Sequence, residues 1–177
     1  MKLQFDKYCV RSWEENDAPA LAKYANNRKI WLNLRDAFPH PYDLQNARQF
    51  IEGVQEMQPE TIFAIATETE AIGSIGFQLG QDVHRHSAEL GYWLAEPFWG
   101  RGIVSEAILA LTDFAFQHFN LARIYAEPYA SNVASVRVLE KAGFQCEGRL
   151  VRNALKNGEL QDQFMFAKIN SGFRIKR

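Results

Sequence analysis

A mixed α/β sheet is the fold class this sequence predicts, and three observations lead to it. Ser87 to Leu94 reads as a strand, after which Gly100 and Gly102 introduce a helical stretch from Ile103 to His118. The same succession returns at Ala122 to Tyr129 and Asn132 to Phe144, where Gly143 stops the helix. Ahead of both, Ile62 to Thr67 and Ala71 to Leu79 alternate as a hairpin that the Glu89 strand extends into a meander.

Taken in order, Leu3 to Trp13 reads as a first strand, and Asp17 with Pro19 supplies the start of a helix over Ala18 to Asn27. Asp43 is placed to cap a second helix with the apolar stripe Ala47, Phe50, Ile51, Val54 and Met57. The meander follows. In the Ile103 to His118 helix, Val104, Ala107, Ile108, Leu111, Phe114 and Ala115 share one face. After the next strand and helix come two last strands, Phe144 to Val151 and Gln163 to Ile169, joined through an Asn157-Gly158 turn. The order is β-α-α-β-β-β-α-β-α-β-β, giving seven strands and four helices in one twisted sheet.

The 177 residues suit a single domain over 1–177, and no linker, repeat or low-complexity tract divides them. Hydrophobic residues at 47% and charged residues at 23% are ordinary for a globular protein, so a disordered chain is not expected. A net charge of −1 gives no bulk attraction to nucleic acid or to a membrane, so neither is an expected partner. The N-terminus lacks the apolar core of a signal peptide and no run approaches the roughly 18 residues that span a bilayer, so a cytoplasmic location is expected. Cys9 and Cys146 both fall in expected strands and read as reduced thiols. The four histidines lack metal-site spacing, and no metal is expected.

Helix starts leave several N–H groups without partners, and glycine lets an anion approach the main chain closely. Trp99-Gly100-Arg101-Gly102-Ile103-Val104-Ser105 therefore reads as a phosphate cradle or as a plain tight turn. It is not a P-loop, because no Gly-Lys-Ser/Thr occurs, nor a dinucleotide fingerprint, because Ser105 stands where a third glycine is required.

Gly-Tyr-Trp-Leu at 91–94, the Trp-Gly-x-Gly loop running into Ser105-Glu106-Ala107, and Asn132-x-x-Ser135 ahead of Leu139-Glu140-Lys141-x-Gly143-Phe144 occur in that order. Together they resemble the motifs of the GNAT superfamily of acetyl-CoA-dependent N-acetyltransferases, in its RimJ/RimL-like branch. The resemblance extends to Asn33 through Tyr42, which looks like that branch's substrate-side loop. It implies the GNAT fold, acetyl-CoA as co-substrate and direct transfer of acetyl to a primary amine. A protein α-amino group, ribosomal proteins included, is the expected acceptor. A small amine or polyamine remains the alternative, as does a non-catalytic acyl-CoA-binding module. Either a monomer or a homodimer is compatible.

The resemblance also assigns roles. Main-chain N–H groups from Gly100 to Ser105, through Ile103 and Val104, would hold the pyrophosphate, with Arg101 either a phosphate contact or a solvated loop residue. Two positions depart from the wider superfamily: Trp99 replaces its Gln or Arg, as is usual in this branch, and Val104 replaces its Gly or Ala. Pantetheine would run along Tyr92, Trp93 and Leu94 as an added strand, with Leu94 N–H on the thioester carbonyl. Glu89 is the candidate base. The superfamily's thiolate-protonating tyrosine is replaced by Leu139, which leaves Ser135 as candidate donor and Asn132 as a cofactor contact or helix cap. Trp31, Leu34, Phe38 and Tyr42 are candidates for the acceptor pocket, with core packing as their other reading.

Overall fold

The computed structural model describes residues 1–175. Its sheet has eight strands, β1 (Lys2–Phe5), β2 (Tyr8–Arg11), β3 (Ile62–Ala66), β4 (Ala71–Leu79), β5 (Ser87–Leu94), β6 (Arg123–Ala126), β7 (Gln145–Lys156) and β8 (Glu159–Ile169). Five helices accompany them: α1 (Ala18–Ala25), α2 (Arg28–Trp31), α3 (Leu44–Gln55), α4 (Ile103–His118) and α5 (Val133–Lys141). The spatial order is β1-β2-β3-β4-β5-β6-β8-β7, and among the described residues only the central β5–β6 pair is parallel.

Alternation along β3 shows why helices cover both faces. Phe63 and Ile65 enter a core with α4 and α5, whereas Ala64 enters a second core with α1 and α3. Eight strands replace the expected seven because the first one folds back: Asp6 takes a left-handed φ of 45°, and β1 and β2 pair as a hairpin. The expected helix to Asn27 ends at Ala25, and α2 follows with its own cap, Asn27 Oδ1 accepting from Lys29 N–H at 2.8 Å. Asp17 does not cap α1. Its carboxylate is buried against Arg11 by two contacts of 2.7 Å, which raise the guanidinium's pKa against the opposing effect of burial.

Asp43 does cap α3, accepting from Asn46 N–H at 2.8 Å while the Asn46 side chain accepts from Asp43 N–H at 3.0 Å. Met57 lies beyond the end of α3 and is exposed. The strand expected at 122–129 is shorter, and the last two strands are longer, meeting at Asn157 (φ 51°) and Gly158 (φ 82°). Cys9 is buried and Cys146 exposed. Among the described residues no helix is long and apolar enough to cross a membrane, and no cluster of three His, Cys, Asp or Glu could hold a metal.

Candidate active site

The ladder between β4 and β5 determines which main-chain groups of β5 stay free. Gly80 N–H donates to Ser87 O and Ala95 N–H to Ile72 O, both at 2.8 Å, with β4 and β5 in register between those ends. Because alternate residues of an antiparallel pair exchange bonds, Glu89, Gly91 and Trp93 turn their N–H groups toward β4, while Tyr92 and Leu94 turn theirs away. On that far side β6 pairs with Ser87, Ala88 and Glu89 only. The strands then part, and the N–H groups of Tyr92 and Leu94 face the gap. Leu94 O is occupied by Trp99 Nε1, which donates at 2.7 Å and ties the following loop to the strand end.

That loop carries the cradle. Gly100 and Gly102 have φ of 75° and 79°, and a Cβ added at either would meet open space. Gly102 is the N-cap of α4 and offers no side-chain acceptor, so among the described residues the N–H groups of 100 to 105 have no protein partner. The side chains of Ile103 and Ser105 are buried and Val104 packs on the core, leaving main chain at the surface. Arg101 turns back along its loop, donating to Pro97 O at 2.8 Å with its guanidinium 5.4 Å from the Phe98 ring centre.

Two hydroxyls meet beside the gap. Ser135 Oγ lies 2.7 Å from Tyr92 Oη, and Asn132 Oδ1 accepts from Ser135 N–H at 3.1 Å, fixing the start of α5. Burial pushes the Tyr92 phenol up to about 12, against the lowering effect of its bond to Ser135. Leu139 is fully buried in the core behind them. The Tyr92 hydroxyl was not singled out from sequence, where Tyr92 counted only for its main chain.

On the opposite face of β5 stand Glu89, Gly91 and Trp93. Phe38 packs edge-on against Trp93 at 6.0 Å and lies tilted against Tyr42 at 4.9 Å. Trp31 and Phe38 line a cavity of about 380 Å³ together with Asp36, His40 and the β7–β8 turn at Leu155, Asn157 and Gly158. Leu34 is half-buried and does not line it. Tyr42 is 4% exposed in the α1–α3 core, beside Phe38; burial, then Asp43, pushes its phenol up to about 12.

Charged groups join this wall from distant segments. Lys156 is 3% exposed, with Nζ 3.8 Å from the Trp31 ring centre and 2.7 Å from Asp36 Oδ1. Glu89 is paired with Arg35. Nearby, burial and then Glu89 push the Glu127 carboxyl upward, and Arg35 opposes them. Arg35, Lys156 and Glu127 were not anticipated; the Asn157-Gly158 turn was legible, but its approach to the site was not.

The chain matches the model of the acetyltransferase (GNAT) domain over residues 7–145. It is 32% identical to the uncharacterized N-acetyltransferase p20 of Bacillus licheniformis, over 93% of this chain and 94% of that protein. To the ribosomal-protein-serine acetyltransferase of Escherichia coli it is 29% identical, over 88% of each. Among solved structures, RimL, a ribosomal L7/L12 α-N-protein acetyltransferase in complex with coenzyme A, superposes with a TM-score of 0.84 at 24% identity, covering 96% of this chain and 98% of that one.

Proposed function

The chain belongs to the GNAT family of acetyl-CoA-dependent N-acetyltransferases, and from that premise we propose that it acetylates the α-amino group of a protein or peptide of the ribosomal-protein type. The observation that carries the reading is the gap between β5 and β6, with free N–H groups at Tyr92 and Leu94 leading to six more at residues 100 to 105. Such a track suits acetyl-CoA, whose pantetheine adds to a strand edge and whose pyrophosphate suits a helix start. Acetyl-CoA supplies the activated acyl group; the chain's residues bind, orient and move protons.

Leu94 N–H polarises the thioester carbonyl, and Trp99, bonded to Leu94 O, fixes the strand end. Glu89, on the face of β5 that lines the acceptor side, takes the amine's proton through intervening water. An N-terminal amine makes the smaller demand. With a pKa near 7.7–8.0 it is roughly a tenth neutral at pH 7, whereas lysine near 10.4 costs about 3 kcal/mol more to deprotonate. Ser135 donates its proton to the departing thiolate, Tyr92 passes one to the serine across their 2.7 Å contact, and solvent reprotonates Tyr92 once CoA leaves. Trp31 and Phe38 form the acceptor wall.

Resemblance to ribosomal-protein acetyltransferases supports the acceptor class and a cytoplasmic place of action. The test is release of free thiol from acetyl-CoA across a panel of N-terminal peptides, spermidine and aminoglycosides. Turnover confined to peptides with a free α-amino group is expected. Turnover with spermidine or an aminoglycoside alone would replace the protein acceptor, and none with any amine would leave an acyl-CoA-binding module.

A further inference from the structure

Arg35 reaches from the loop after α2 across to β5, and among the described residues its side chain has one polar contact, the pair with Glu89. The arginine side chain is 66% exposed and the carboxylate 20%, so the guanidinium lies over Glu89 as a cover. Two residues along the same strand face, Gly91 leaves an open floor, since a Cβ added there would meet nothing within 4 Å. Trp93, packed against Phe38, closes the far end. The loop around Arg35 is held independently, Asp36 by Lys156 and Phe38 by Trp93 and Tyr42. Only the arginine side chain has to swing for Glu89 to be uncovered.

We propose that Arg35 is an internal stand-in for the acceptor's ammonium group, covering Glu89 until a cationic amine entering over Gly91 displaces it. The proposal rests on the reading of this site as an amine acetyltransferase and names the class of acceptor, an aliphatic amine that arrives protonated. Exchange of guanidinium for ammonium keeps a positive charge beside Glu89 throughout entry, so the half-buried carboxylate is not left unpaired. A neutral arylamine forgoes that exchange. Because exposed ion pairs are weak, the cover favours the closed arrangement by no more than about fivefold.

Arg35→Gln is therefore expected to lower KM for a cationic acceptor about two- to fivefold, with acetyl-CoA affinity unchanged, and Arg35→Lys to restore the wild-type KM. An unchanged or raised KM in Arg35→Gln would overturn the proposal, because the arginine would then bind the acceptor or merely shape the loop. A second readout needs no turnover. Methylguanidinium, titrated through tens of millimolar, should shift the Gly91 and Trp93 amide resonances of Arg35→Ala, showing binding there, and shift them in neither the wild type nor Arg35→Ala/Glu89→Gln. Binding in all three proteins, or in none, would also overturn it. Methylguanidinium binding selectively to Arg35→Ala in a protein that acetylates no amine would leave the cover standing while the acetyltransferase reading fell.

Discussion

The two sides of β5 are built on different principles. At the gap beside β6 and the start of α4 the site consists mainly of main chain: free N–H groups at Tyr92 and Leu94, then the Gly100 to Ser105 loop. Toward α1 and α3 it consists of side chains from distant segments, joined by the Arg35–Glu89 pair and by Lys156 on Trp31 and Asp36. Backbone geometry tolerates changes of side chain that keep the turn and the strand end. A wall of long side chains changes its specificity with each substitution. One face is suited to a constant ligand, and the other to an acceptor that varies among related enzymes.

Breaking the constant face should have the largest effect. Gly102→Pro removes a cradle N–H and demands φ near −65° where the chain holds 79°. We expect acetyl-CoA binding to be lost in a calorimetric titration while circular dichroism retains the folded spectrum. Wild-type affinity would mean that the phosphates are held elsewhere.

On the variable face, Glu89→Gln tests whether the carboxylate is the base. The expected loss is about 10²–10⁴ in kcat at neutral pH, with little change in acetyl-CoA affinity. If rate and pH profile were unaltered, proton removal would belong to another group.

Ser135→Ala sharpens the comparison, because here the main-chain face depends on side-chain hydroxyls. A thiolate is a far better leaving group than an alkoxide and can depart without full protonation, so the expected loss is about 10- to 100-fold in kcat, or roughly 1.4–2.7 kcal/mol. The deficit should shrink with a thioester of a more acidic thiol. Equal impairment with both thioesters would make Ser135 a positioning residue.

Gly91→Val tests the open floor between Glu89 and Trp93. Valine suits a strand and meets no neighbour at its Cβ, so thermal stability should hold. The added methyls stand in the acceptor's path, and about a tenfold rise in acceptor KM is expected with acetyl-CoA affinity spared. Unchanged KM would move the entry route away from β5.

The same division marks what could be read from the sequence. Local rules set the Asp43 and Asn132 caps, the two glycines before α4 and the Asn157-Gly158 turn, and all are found where expected. The β1–β2 turn escaped notice because Asp6 supplies the left-handed conformation that a glycine would have signalled. Asp17 gives a sharper case: a good capping residue by type, it is drawn instead to Arg11 by a buried ion pair. Tyr92 meets Ser135 only because β5 and α5 pack together across 43 positions of sequence, and Lys156 reaches Asp36 across 120. No local pattern encodes such meetings. The parting of β5 from β6 is likewise a matter of where β6 stops pairing, which no residue type announces.

The smallest expected effect is a pH dependence of stability that links the two faces through their buried phenols. Tyr92 behind the gap and Tyr42 behind the acceptor wall are both pushed up to about 12 by burial. An unfolded tyrosine ionises near 10. Below pH 10 both states keep the proton, so these residues add no pH dependence. Between about pH 10 and 12 the unfolded chain releases protons that the folded chain retains, and stability falls as pH rises; above 12 the fall levels off. Chemical denaturation followed by tryptophan fluorescence should show this descent, and Tyr92→Phe should make it shallower while leaving the Tyr42 share. A Tyr92→Phe protein with the full wild-type descent would show that the Tyr92 phenol ionises as readily in the folded chain as in the unfolded one, and so is not kept protonated by its burial beside Ser135.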